Sequence, residues 1–233
     1  MNDRSPNQLL ASLSVPDFEL LRPHLRSVEL KHKAALVRTG EPLTHVYFPN
    51  NGIISLVVRL LNGDTIEAAM IGRDSVFGAA AALNGGIAIN DAIVQLPGVA
   101  STLGVAQIRR AAEDSVSLRT TLIRHEQALL AQALQSAACN ASHTVESRLS
   151  RWLLRARDLS CSDSLPLTQE FLAQMLAVER SSVSLVAGTL QQAGLIRYSR
   201  GHIEIINVDE LRDSACECYF ATKAHYDALL KSH

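Results

Sequence analysis

Apolar side chains open the chain at helical spacing: Leu9, Leu10 and Leu13, then Phe18, Leu21 and Leu25, with Pro16 and Pro23 interrupting the run. This predicts short helices. From Val28 to about Val105 the texture changes to short β-branched and apolar runs (46–48, 53–60, 65–71, 92–96, 101–105) separated by turn residues, which predicts strands. Asn62-Gly63 lies between two of these runs and marks a hairpin, because both residue types tolerate the positive φ of a tight turn. Glycines at 40, 52, 72, 78, 85, 86, 98 and 104 punctuate the rest, as a β-roll or barrel requires.

Beyond Val105 the pattern is helical to about Leu159, and the stretch 115–140 contains neither Gly nor Pro, so one long helix is expected there. Leu118, Leu122 and Leu129 stand at near-heptad spacing, and small alanines at 128, 131, 133, 137 and 138 permit close approach of a second helix. A homodimer seam with Leu118, Leu122, His125 and Leu129 at the interface is one expectation. A helix packed only on its own β-domain is the other. Residues 162–166 (Ser-Asp-Ser-Leu-Pro) break the run and lead to a second compact unit. The expected domains are therefore 1–112, 113–142 and 143–233.

In the second unit Thr168 is placed to cap a helix whose inner face carries Leu172, Met175 and Leu176. A short turn at 177–179 follows, then a second helix from about Arg180 to Ala193 with Val183, Val186, Ala187 and Leu190 turned inward. This is the spacing of a helix-turn-helix. The exposed start of the second helix offers Arg180, Ser181, Ser182 and Ser184. Arg donates two bonds to guanine O6 and N7 in the major groove, and Ser bonds several bases. Gly194 ends the helix, and 195–205 reads as two strands around a Gly turn, a wing. From Arg180 to Arg200 inclusive there are three arginines and no acid, so Thr168, Gln169, Arg200 and His202 are candidates for phosphate contacts. The alternative is a helical hairpin of purely structural use. The partner implied is double-stranded DNA.

Composition narrows the picture. With 233 residues, 47% hydrophobic, the chain builds one or two cores; its net charge of −1 leaves any nucleic-acid binding to a local basic surface. No run of about 18 apolar residues is present and MNDRSPNQ lacks a secretory pattern, so a soluble, cytoplasmic protein with no membrane contact is expected. No C-x-x-C pair occurs among Cys139, Cys161, Cys216 and Cys218. Cys216 and Cys218 fall two apart on a helix expected over Val208 to Leu230, where side chains diverge, so they read as incidental thiols and no metal site is expected. The row Arg148, Arg151 and Arg155 reads as a solvated face in preference to a DNA-backbone track. A metal-dependent enzyme in a small barrel needs a His-x-His pair, and His24, His32 and His45 supply none; no phosphate loop or nucleophile elbow is present, so the chain is not expected to be an enzyme. A ligand-binding module whose C-terminal unit contacts another protein is the remaining rival.

Three segments, His143-Thr144-Val145-Glu146-Ser147-Arg148-Leu149 with Arg151-Trp152-Leu153-Leu154, then 167–173, then 180–184, resemble the Crp/Fnr superfamily of transcription regulators. The resemblance spans nearly the whole chain. It implies an α+β fold: a cyclic-nucleotide-binding-like β-roll (a double-stranded β-helix or jelly roll), a long dimerisation helix and a C-terminal winged helix-turn-helix. It further implies a symmetric dimer reading a two-fold repeated site, with RNA polymerase as a partner. Ala177 stands where the family often has Gly. Family members that bind cyclic AMP use a Gly-Glu-Leu segment and an Arg-Ser/Thr-Ala segment; here the matching positions read Gly78-Ala79-Ala80 and Asn90-Asp91-Ala92. Asn90 cannot replace the arginine fork, and the carboxylate of Asp91 beside it would repel a cyclic phosphate, so cyclic AMP is disfavoured. Relatives with iron-sulfur clusters hold them through cysteines near the N-terminus, and this chain has none before Cys139. His125 is open to two readings, an axial haem ligand or a polar residue fixing helix register. No cofactor is expected, and the small-molecule effector is left unassigned.

Overall fold

The computed structural model describes residues 5–83 and 86–231; of the punctuating glycines, Gly85 lies outside them. Two short helices, α1 (Gln8–Ser12) and α2 (Val15–Leu21), open the chain, capped by Asn7 and Ser14. Seven strands follow: β1 (Arg26–Leu30), β2 (Ala35–Val37), β3 (His45–Pro49), β4 (Ile53–Arg59), β5 (Thr65–Ile71), β6 (Asp91–Leu96) and β7 (Gly98–Gly104). They form two antiparallel sheets, of order β1-β7-β3 and β2-β6-β4-β5. Leu30, Val37, Ile54, Leu56, Phe77 and Val94 fill the space between them, so the interior of the roll is a side-chain core. Gly63 takes φ +92° in the β4–β5 turn, where an L side chain would be strained.

Helix α3 (Val105–Asp114) ends at Ser115, whose hydroxyl caps α4 (Val116–Ser142). Helix α4 has 27 residues and is about 40 Å long. Its inner face buries Leu118, Leu122 and Ala128 with Val46, Phe48 and Ile108 of the β-domain. A second flank is covered by the last helix, α9 (Cys218–Leu230), where Tyr226 Oη donates to Gln132 Oε1 at 2.8 Å. The segment expected as one helix over 208–230 is two, α8 (Val208–Ser214) and α9, broken at 215–217.

Helix α5 (Val145–Ser160) runs through the middle of the molecule, and ten of its residues are buried. One core joins its Leu149, Trp152 and Leu153 to Ile53, Val57 and Met70 of the β-domain and to Leu172, Leu190 and Ile203 of the C-terminal unit. Trp152 Nε1 donates to Glu67 Oε1 at 2.8 Å, and Ser55 Oγ donates to the other carboxylate oxygen at 2.5 Å. Burial pushes the Glu67 carboxyl up, against these two hydrogen bonds and Arg151.

Arg148, Arg151 and Arg155 do not form a solvated face: all three are buried in the single chain. Arg155 Nη1 pairs with Asp74 Oδ2 at 2.7 Å and its guanidinium lies 4.6 Å from the Tyr226 ring centroid. Arg148 donates to the Leu176 carbonyl at the end of the next helix. The residues 162–166, read as a break, contain a short strand as well, β8 (Ser164–Leu165), which pairs with the wing.

Candidate nucleic-acid interface

Helix α6 (Gln169–Leu176) begins as expected at Thr168, whose Oγ1 accepts from the Phe171 amide at 3.2 Å. It ends with Ala177 in the left-handed region, φ 51° and ψ 51°. The Val178 amide donates back to the Ala173 carbonyl at 3.0 Å, which closes the helix in the manner usually reserved for Gly. The turn therefore keeps the left-handed geometry in spite of the alanine, which carries about 1–2 kcal/mol of strain. Helix α7 (Arg180–Gln192) follows, with Val183, Ala187 and Leu190 buried against α5 and α6. This inward set makes the opposite face of α7 available.

On that face Arg180 and Ser181 are exposed and Ser182 is half-buried. The Ser184 hydroxyl donates to Gln169 Oε1 at 2.6 Å, so the starts of α6 and α7 are tied side by side, with the amide of Gln169 left over as a donor. Glu179 caps α7 without a side-chain hydrogen bond. The wing consists of β9 (Ile196–Ser199) and β10 (His202–Ile205), joined through Arg200 at φ 48° and Gly201 at φ 80°. Gly201 lies against Thr168, since a Cβ there would meet Thr168 Cγ2 at 3.4 Å. Arg200 and His202 are exposed at the tip. Arg197, counted towards the basic surface, is paired with Glu204 at 2.7 Å across the hairpin, so its charge is largely offset and Arg180 and Arg200 carry what remains. The turn between α6 and α7 faces the β4–β5 hairpin across an open cleft lined by Asp64, Ile66, Gln174, Ala177 and Arg180.

The seam expected on α4 is corrected. Leu118, Leu122 and His125 are buried in the single chain, and Leu129 is half-buried against the β-domain. His125 Nε2 accepts from the Val76 amide at 3.2 Å and lies 2.6 Å from Ser75 Oγ, which engages the atom an axial ligand would use. These side chains hold α4 to its own domain. The outward stripe is Val116, Thr120, Ile123, Gln127, Leu130, Leu134, Ala137 and Ala141, a strict alternation of four and three residues, every one exposed. Its large members are 67% (Val116), 44% (Ile123), 60% (Leu130) and 63% (Leu134) exposed.

Asp91 sits at the rim of the roll and is already occupied. The Thr39 amide and hydroxyl donate to its Oδ1 at 2.8 and 2.9 Å, and Arg59 pairs with Oδ2 at 3.0 Å. The Thr39 amide, assisted by Arg59, holds this carboxyl below its ordinary range. The two thiols read as incidental are brought together by the break between α8 and α9: Cys216 and Cys218 meet Cys139 and His143 from the end of α4. The hydrogen bond from Cys216 holds the Cys139 thiol down at about 5, with Arg151 adding to it. Nothing local in the sequence signals this convergence, because 77 residues separate Cys139 from Cys216.

Residues 27–115 match the cyclic nucleotide-binding domain family, and residues 147–214 match the Crp-like helix-turn-helix domain family. The chain belongs to the Crp/Fnr superfamily of transcription regulators. Solved structures share the fold of this Crp/Fnr protein at low identity. FixK2 from Bradyrhizobium japonicum superposes with a TM-score of 0.71 at 17% identity, covering 82% of this chain and 98% of that one. TTHB099, a transcriptional regulator of the CRP family from Thermus thermophilus, gives 0.65 at 21%, covering 81% and 96%. The c-di-GMP responsive global regulator CLP from Xanthomonas campestris gives 0.64 at 14%, covering 82% and 99%. No curated protein sequence matches the chain. Among the described residues no helix is long and apolar enough to cross a membrane.

Proposed function

We propose that this Crp/Fnr protein acts as a homodimer on a two-fold repeated duplex site, with the start of α7 in the major groove and the wing tip on the backbone. The observation that carries the reading is the exposed set Arg180, Ser181, Arg200 and His202, with half-buried Gln169 beside them, on a helix pair and wing whose other side is buried. Arg180 is assigned to base readout, with Ser181 and Ser182 beside it; Thr168, Gln169, Arg200 and His202 set register on phosphates. Ser184 acts indirectly by holding Gln169.

The exposed heptad stripe on α4 supports pairing of two such helices, since apolar side chains repeating about every 3.5 residues match the seam of a two-helix coil and, among the described residues, no element of the single chain covers them. Asp91, engaged by Thr39 and Arg59, supports an effector other than cyclic AMP, because a cyclic phosphate would meet a carboxylate there. Coupling from the β-domain to the reading head runs through α5, where Trp152 is bonded to Glu67 of β5 and Arg148 to the end of α6. RNA polymerase is the partner proposed for the bound dimer.

Selection of bound duplexes from a random pool tests this. The expected result is an inverted repeat with half-sites one helical turn apart, and binding that weakens steeply with salt. No enrichment over random competitor would overturn the reading.

A further inference from the structure

Cys139 lies in the last turn of α4 and His143 is its C-cap residue, four positions on and therefore on the same face. Cys216 comes from the α8–α9 connection and Cys218 opens α9, on the far side of the C-terminal unit in sequence. Cys139 Sγ stands 3.5 Å from Cys216 Sγ, and Cys218 Sγ stands 3.5 Å from His143 Nδ1. All four donor atoms lie within 4.8 Å of one another. With metal–sulfur bonds of about 2.3 Å and metal–nitrogen bonds of about 2.0–2.1 Å, the edges of a tetrahedral zinc site measure about 3.6–3.8 Å. Closing the set on a single ion thus needs movements of no more than side-chain size. An iron-sulfur cluster places several iron and sulfide atoms between its cysteine sulfurs and holds them farther apart than this. The spacing selects a mononuclear site.

The surroundings are those of a ligand set and not of a thiol cluster alone. His143 presents Nδ1 to the sulfurs, while its Nε2 lies 3.2 Å from Glu217 Oε1, the carboxylate–histidine arrangement that fixes the tautomer of a metal-bound imidazole. Gln135 Nε2 donates to Cys218 Sγ at 3.0 Å, a hydrogen bond suited to a thiolate. Three thiolates on a divalent ion leave one negative charge. The buried guanidinium groups of Arg148 and Arg151, each with an unpaired buried Nε, interact with the Cys139 sulfur and are placed to offset it. Arg148 belongs to α5, directly after the α4–α5 joint.

We infer that Cys139, His143, Cys216 and Cys218 form a mononuclear Cys3His site for a thiophilic divalent cation of the zinc class, which clasps the end of the long helix to the C-terminal helix. Ions bind with loss of the remaining thiol protons to solvent, so occupancy rises with pH and falls with acid or chelator. The site spans the joint between α4 and α5. Loading therefore restrains the orientation of the helix-turn-helix relative to α4, and a chelator or a thiol oxidant releases it.

The test uses the full-length, reduced chain and two probes, Zn2+ and Co2+ alone, under anaerobic conditions. The expected result is one ion per chain retained through gel filtration, with the visible bands of tetrahedral cobalt and thiolate-to-cobalt charge transfer of three-sulfur intensity, discharged by Zn2+. Cys216→Ser and Cys218→Ser each abolish the three-sulfur spectrum, whereas Cys161→Ser, at an exposed thiol outside the cluster, leaves it unchanged. Glu217→Gln, at an exposed position, weakens affinity about tenfold or more through the histidine. Should the cysteine variants fail to fold, the parent chain and Glu217→Gln decide the matter. Failure of the reduced parent to take up either ion in stoichiometric amount overturns the proposal, as does an undiminished three-sulfur spectrum in Cys218→Ser. A Cys139–Cys216 disulfide that, once reduced, yields no metal uptake overturns it equally.

Discussion

Leu130→Ala combined with Leu134→Ala separates pairing from folding. Both side chains lie on the outward stripe of α4, 60% and 63% exposed in the single chain, so their removal leaves no cavity. Burying a whole leucine contributes about 1.5–3 kcal/mol, and covering the remaining three fifths in a dimer about 1–2 kcal/mol. Truncation to alanine forfeits most of that, at two sites on each of two chains, so the dimer is weakened by about 3–5 kcal/mol. At 1.4 kcal/mol per tenfold, Kd rises by roughly two to four orders of magnitude. Sedimentation equilibrium across a concentration series reads the constant directly, and urea unfolding of the dilute monomer reads the fold. The expected outcome is dissociation with little change in monomer stability. Leu118→Ala and Leu122→Ala give the opposite pattern, each costing about 2–5 kcal/mol of fold stability because both side chains are buried among the β-domain and helices. An unchanged Kd in the stripe variant, or a parent chain that stays monomeric at high concentration, would refute the assignment of the outward face.

Arg180→Ala is expected to cost about 1–3 kcal/mol of specific affinity and to relax the base preference at one position of each half-site, read by competition against substituted duplexes. Ala177→Gly relieves a left-handed alanine and is expected to stabilise by up to about 1 kcal/mol in urea titration; a loss would show that the turn changes with the residue. Asp74→Asn leaves the Arg155 guanidinium buried without its partner and is expected to destabilise by about 3–5 kcal/mol. Burial raises the Glu67 pKa above its ordinary 4.5, so the stability it contributes is complete below that value and is lost as pH rises through the raised one. Glu67→Gln is expected to remove that part of the pH dependence, measured as urea midpoints across the acid-to-neutral range.

Local signals in this chain survive into the structure with little change. Asn62-Gly63, the Thr168 cap and Gly194 are set by backbone preferences within a few residues, and each stands where its own chemistry places it, whereas the 177–179 turn forms against the preference of Ala177. The helix-turn-helix was legible for the same reason, since its apolar spacing over 172–190 fixes which face is buried.

The orientation of α4 was not legible. Two apolar stripes run along it, Leu118-Leu122-Leu129 and Val116-Ile123-Leu130-Leu134, and the sequence treats them alike. The β-domain chose between them by covering the first. The arginines of α5 present the same lesson in charge. A row of three cations on a helix is indistinguishable from a solvated face until Asp74, Tyr226 and the Leu176 carbonyl come to it from elements as far as 81 residues away. Cys139, His143, Cys216 and Cys218 depended on tertiary structure most of all. What residues do within one turn of helix or hairpin is governed by short-range sterics and hydrogen bonding, which sequence carries; which far segments share one small volume is governed by how whole elements pack, which it carries only collectively.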